Sequence, residues 1–244
     1  MTTPDFKFSP QLYARVCGVL YLYIIVVGIF AELFVRSRLI NFADAEATAN
    51  SVIANESLFR IGFSGELLHI AFDVAVAVLL YALLKPVDRN IALLAAFMRL
   101  ACDIVLAVAS ISHFAALRLF ADADYLDTFE PEQLHTLALV ALKLHGSGYA
   151  ISLVFFGFAC LSLGYLIYKS TYMPKLLGGL LVFAGACYLF NSFSQFLAPQ
   201  FAANLFPALF VPIFIAELSL TLWLLVKGVD MAKWEVRTSG MTGA

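Results

Sequence analysis

LFRIGFSGELLHIAFDVAVAVLLYALL, residues Leu58 to Leu84, is an apolar run long enough to cross a bilayer, yet it carries Glu66, His69 and Asp73. Spacings of three and four residues put those side chains on one face of an α-helix. Ionisable groups on a spanning helix are costly unless they face a bundle interior or a water-filled cavity. This helix therefore needs neighbours that give it an inside, and the stretch predicts an all-α bundle of membrane helices.

The rest of the composition agrees. Hydrophobic residues make up 62% of 244 positions and charged residues 13%, with a mean hydropathy of +0.91, whereas soluble domains are about 45–50% apolar and about 25% charged. The partner this implies is the lipid bilayer. A net charge of −2, with Lys and Arg scattered at segment ends, offers no basic surface for nucleic acid. Cys17, Cys102, Cys160 and Cys187 lie inside apolar runs without a CxxC pair, so they read as small core hydrophobes.

Taken in order, the chain predicts six spans, about 12–35, 58–84, 91–119, 145–168, 176–197 and 205–227, in a single transmembrane domain over 1–244. The first reads as an uncleaved signal anchor, too long for a cleaved h-region. Between the first two spans, Asp44 is placed as an N-cap for an alanine-rich segment. That segment predicts a short extracytoplasmic interfacial helix. The turn Lys85 to Asn90 makes the second and third spans antiparallel neighbours. The loop from 121 to 133 holds five acids and no base. Pro131 then opens a helical pattern of nearly forty residues, too many for one crossing. This predicts a lead-in followed by a span, with Gly146 and Gly148 permitting a kink. Gly178, Gly179, Gly185 and Ala186 allow close helix approach in the fifth span. Pro207 and Pro212 interrupt the sixth.

Lys and Arg near span ends fall mostly on one side: Lys7, Arg15, Lys85, Arg89, Lys169, Lys175, Lys227, Lys233 and Arg237, against Arg36, Arg38, Arg60 and Arg118. The positive-inside rule then places both termini in the cytoplasm.

Depth along each helix gives candidate sites. At 1.5 Å per residue from the cytoplasmic ends, Asp73, Arg99, Asp103 and Glu217 fall at about 12–18 Å, near the middle of a core of about 30 Å. His69 lies slightly further out, and Glu32, Glu66, Asn191 and Gln195 form an outer tier at about 22–28 Å. Lys143, His145 and His113 reach the outer interface. Glu66, His69, Asp73, Arg99, Asp103 and Glu217 thus make a polar intramembrane cluster, with Glu32, Lys143, His145, Asn191 and Gln195 at its outer mouth.

Two chemistries compete for these residues. Three midplane carboxylates against one arginine suit a small-molecule, cation or proton site, unless they merely lock helices together. Glu66 and His69 could begin a metal site whose third ligand comes from His145, His113, Asp73 or Glu32, but without an HExxH motif no metal or other cofactor is assigned. The resulting functional classes are binding or transport of a small solute or ion, an intramembrane enzyme acting on a lipid-like substrate, and a structural or regulatory membrane subunit.

The segments from Ala14 to Ile40, Asn55 to Leu68, Leu79 to Leu100, Leu144 to Phe193 and Ile215 to Val229 carry a resemblance. The Glu32-Leu33-Phe34-Val35-Arg36 end of the first span, the Lys85-Pro86-Val87 turn and the Met173-Pro174-Lys175 exit turn are its most specific parts. Over nearly the whole chain the sequence resembles the bacterial domain-of-unknown-function 4386 family. The resemblance implies a multi-span bacterial inner-membrane protein and brings no assigned activity or site residues.

Overall fold

The computed structural model describes residues 9–120 and 126–239, with the backbone alone at 203, 204, 206 and 207. Lys7, Asp122, Asp124 and the side chain of Pro207 lie outside the described residues. Helix α1 (Pro10–Phe30) continues through a π-helical turn (Ala31–Arg36) into a last short turn, α2 (Ser37–Leu39). Then come α3 (Ala45–Ala54), α4 (Glu56–Leu84), α5 (Arg89–Leu119), α6 (Pro131–Lys169), α7 (Lys175–Leu197), α8 (Pro199–Val226) and α9 (Met231–Ser239). Among the described residues, six helical segments are long and apolar enough to cross a membrane: Pro10–Leu39, α4, α5, α6, α7 and Ala208–Val226. This is the all-α architecture with six spans that the hydropathy pattern predicts.

Local chemistry sets the helix ends. Asp44 Oδ1 accepts the Ala47 N–H at 2.9 Å and starts α3, in the connection where the sequence calls for a short helix. Asp88 Oδ1 accepts from the Asn90 and Ile91 N–H groups at 2.9 and 3.0 Å and starts α5. Pro131 occupies the first position of α6, and Pro199 that of α8. Gly228, at φ +67°, turns the chain out of α8 where a side chain would be strained.

Two expectations change. Helix α6 is one unbroken helix of 39 residues, about 58 Å at 1.5 Å per residue, so the expected lead-in and span are continuous. Gly148 serves packing: a Cβ there would lie 2.5 Å from the Ala109 Cβ, so its absence lets α5 and α6 approach. Helix α8 likewise runs through Pro212 without interruption. Proline removes one backbone donor there, and a spanning helix tolerates that loss when its neighbours and local adjustments satisfy the freed carbonyl.

The chain divides into two compact units. The first comprises Met1–Leu22, Phe72–Cys102 and Leu153–Ala244, and the second Tyr23–Ala71 and Asp103–Ser152. In the first unit α6 and α7 pack through paired glycines. A Cβ on Gly178 would fall 2.6 Å from Gly164 O and Tyr168 N, and one on Gly185 would fall 2.8 Å from Gly157 O. Ala184, Cys187, Ile213 and Ala216 join α7 to α8. In the second unit Val35, Leu39, Val52, Phe59, Leu117 and Leu142 are the larger members of one apolar cluster, and Gly62 admits Val35 to within 2.8 Å of its would-be Cβ. Outward-facing Val78, Val108 and Ile111 are exposed, as lipid-facing residues of a bundle are. All four cysteines are buried thiols outside any disulfide.

Candidate functional site

The second unit gathers three metal-ligating side chains from three helices. Glu66 projects from α4, His113 from α5 and His145 from α6. His145 Nε2 lies 2.9 Å from Glu66 Oε1, and His113 Nδ1 lies 3.2 Å from Glu66 Oε2. Ser110, three residues before His113 and so on the same face of α5, donates from Oγ to Glu66 Oε1. The three side chains are 12%, 9% and 4% exposed for Glu66, His113 and His145. The imidazoles lie 4.6 Å apart between centroids, and Phe59 and Phe63 set their rings nearly perpendicular to His113 at 4.7 and 5.7 Å. These aromatic walls hold the His113 ring in place.

One ligand atom from each of Glu66, His113 and His145 can be chosen so that all lie within 4.8 Å of one another. A tetrahedral zinc with bonds of about 2.0–2.1 Å has ligand–ligand edges of about 3.3 Å. The two His–Glu separations are of that size but reach the two different oxygens of the carboxylate, so Glu66 would have to turn one oxygen toward a cation shared with both imidazoles. Two histidines and a carboxylate form a donor set of catalytic zinc sites and of non-haem iron, both of which keep positions open for water or substrate. Ser110 supplies the outer hydrogen bond that orients a ligating carboxylate.

Of the residues singled out by sequence, Glu66, His145 and His113, the last named there only as a possible third ligand, belong to this group. His69, half-buried on α4, is not among the three ligand atoms that come together. Glu32 pairs with Arg36 at 3.1 Å within the π-helical turn, and Arg36 lies over the Tyr149 ring at 5.5 Å. Lys143 is exposed on α6, and Asp103 is buried on α5. Asn191 is buried and Gln195 half-buried on α7, in the first unit.

The first unit holds a different arrangement. Arg99, 1% exposed, donates from Nε to Asp73 Oδ2 at 3.1 Å and from Nη2 to Asp73 Oδ1. Its Cζ lies 5.0 Å from the ring centroids of both Tyr21 and Phe156. Phe156 in turn meets Tyr188 edge-on at 5.1 Å, and Tyr188 donates to Glu217 Oε1 at 2.6 Å. Tyr21, Asp73, Arg99, Phe156, Tyr188 and Glu217 come one from each of the six spanning segments. Asp73, Arg99 and Glu217 are among the sequence candidates; Tyr21, Phe156 and Tyr188 are not. Ser110 was likewise missed; its spacing to His113 was the available signal.

Residues 16–228 match the family model described as Domain of unknown function (DUF4386). The chain belongs to this family. The DUF4386 match takes in every residue of both clusters. An uncharacterized protein of Archaeoglobus fulgidus is 32% identical over 169 residues, which is 69% of this chain and 85% of the relative. No solved structure matches.

Proposed function

We propose that this DUF4386 protein is an intramembrane metalloprotein. Glu66, His113 and His145 bind one divalent transition metal, zinc first by ligand chemistry, and an open coordination position serves Lewis-acid chemistry on a substrate arriving from the bilayer. The observation that carries this reading is the convergence of the three ligand atoms from three helices. The positive-inside distribution and the family resemblance support placing it in a bacterial inner membrane with cytoplasmic termini. A substrate reaching a site built among spanning helices would be lipid-like, with a carboxylic or phosphoric ester as the bond that metal-activated water attacks.

The transport reading draws support from the surplus of buried carboxylates. Within the first unit, however, Asp73 is taken by Arg99 and Glu217 by Tyr188, which supports an interhelical lock there.

The test is elemental analysis of the protein purified in mild detergent without chelator. About one zinc or iron per chain is expected, lost in Glu66→Gln and His145→Ala and kept in His69→Ala. Absence of metal from the wild type, even after incubation with zinc, would overturn the proposal. Chelator-sensitive hydrolysis of a fluorogenic lipid ester would then separate an enzyme from a metal-binding subunit.

A further inference from the structure

We infer that the first unit carries an anionic-phospholipid headgroup site, built where the α4–α5 turn meets α9. A groove of about 580 Å³ is lined there by Lys85, Arg89, Lys233 and Arg237, together with Asp88 and Thr171 among others. Asp88 is engaged in capping α5, and Asp230 takes part of the Lys233 charge at 2.9 Å. Among the described lining residues, four are basic and one, Asp88, is acidic, so the lining is basic.

The groove is held in shape. Arg237 donates from Nε to Pro86 O at 3.2 Å and from Nη2 to Val87 O at 3.3 Å, using two of its five N–H donors to fix α9 against the turn. The Asp230 N–H donates to Tyr172 O at 3.1 Å, and the Tyr172 hydroxyl donates to Leu83 O at 2.7 Å. Gln11 holds the chain between α8 and α9, donating to Lys227 O at 2.7 Å and accepting from Val229 N at 3.1 Å. Lys233 and Arg237, four residues apart, share one face of α9.

Its level identifies the ligand. Around this end of the first unit three lysines lie over tyrosine rings: Lys85 over Tyr81 at 6.0 Å, Lys169 over Tyr165 at 5.9 Å and Lys175 over Tyr168 at 5.5 Å. Tyrosines with neighbouring lysines at helix ends mark the membrane–water interface. Val236, 76% exposed on α9, adds an apolar contact beside the basic face. A phosphate at that level belongs to a lipid headgroup, and basic pockets at span ends suit such groups.

The experiment titrates the full-length protein in mild detergent with short-chain phosphatidylglycerol, short-chain phosphatidylcholine and inorganic phosphate. Thermal unfolding reports binding, and native mass spectrometry counts lipids per chain. Phosphatidylglycerol is expected to raise the unfolding midpoint saturably, and each basic residue removed should weaken it about fivefold. Thus Lys233→Gln/Arg237→Gln should bind far more weakly, whereas Lys143→Gln, altering an exposed lysine elsewhere, should bind like wild type. An equal response to phosphatidylcholine, an equal response to inorganic phosphate at the same concentration, or unchanged lipid counts in the double variant would each overturn the inference.

Discussion

Asp73→Asn isolates the lock in the first unit. The substitution preserves side-chain shape and one acceptor but removes the counter-charge of a guanidinium that is 1% exposed. Leaving a buried charge without its partner costs about 3–5 kcal/mol. The Tyr21 and Phe156 faces, 5.0 Å from the guanidinium carbon, remain and offset part of that cost. For a chain of this size each kcal/mol moves the unfolding midpoint by about 2–4 °C, so the variant should melt about 6–20 °C lower. The four buried thiols supply the assay, since a thiol-reactive fluorophore in mild detergent reports their exposure as the bundle opens. The double variant Asp73→Asn/Arg99→Leu removes the orphaned charge as well and should recover most of the loss. Two results would refute the reasoning: a single variant melting with the wild type, or a double variant no more stable than the single. Metal content per folded chain should not change in either.

Further outcomes follow from the same geometry. Ser110→Ala removes the hydroxyl that orients Glu66 and should weaken metal binding by about 10–100-fold, measured by competition with a chromophoric chelator, while the unfolding midpoint without metal changes little. Acidification should release the metal, because the two imidazoles ligate only when the ligating nitrogen is unprotonated. Dialysis at stepped pH followed by elemental analysis checks this, and metal retained equally through the acid range would count against histidine ligation. Gly178→Ala would bring a Cβ within 2.6 Å of the backbone at Gly164 and Tyr168. Backbone atoms cannot swing aside as a side chain can, so a loss of about 1–3 kcal/mol is expected in the same thiol assay.

How far the sequence could be read differs between fold and site. Apolar length, Pro131, the Asp44 cap and the Lys85 turn each act locally, so the spans and the helix between the first two were legible. The continuity of α6 was not, because Gly148 reads locally as a flexible point and its packing against Ala109 depends on a residue far away in the chain. At the site, Glu66 stood out because a carboxylate in an apolar run is costly. His69 stood out because it shares the run, yet sharing a helix fixes only a rotation and not which neighbouring helix fills the space opposite. The counting of depth assigned His113 and His145 to the outer interface. It could not show that both turn inward, since rotation of α5 and α6 is set by contacts such as Phe59 against His113.

Both clusters join a buried carboxylate to nitrogen donors, and the chemistry of the nitrogen separates them. A guanidinium has no acceptor lone pair and keeps its proton in proteins. Arg99 can therefore only hold Asp73, and rings from α1 and α6 close over it. An imidazole that donates to a carboxylate in one protonation state can release that proton and offer the same nitrogen to a cation. Glu66 then changes from acceptor to ligand without leaving its place between Ser110, His113 and His145. A site whose hydrogen-bond partners are the same atoms as its metal ligands can exist with or without the ion. That property is what the Glu66→Gln and His145→Ala comparison interrogates, because the first replaces the anionic carboxylate by a neutral amide and the second removes an imidazole, while Asp73 and Arg99 still tie α4 and α5 of the first unit together.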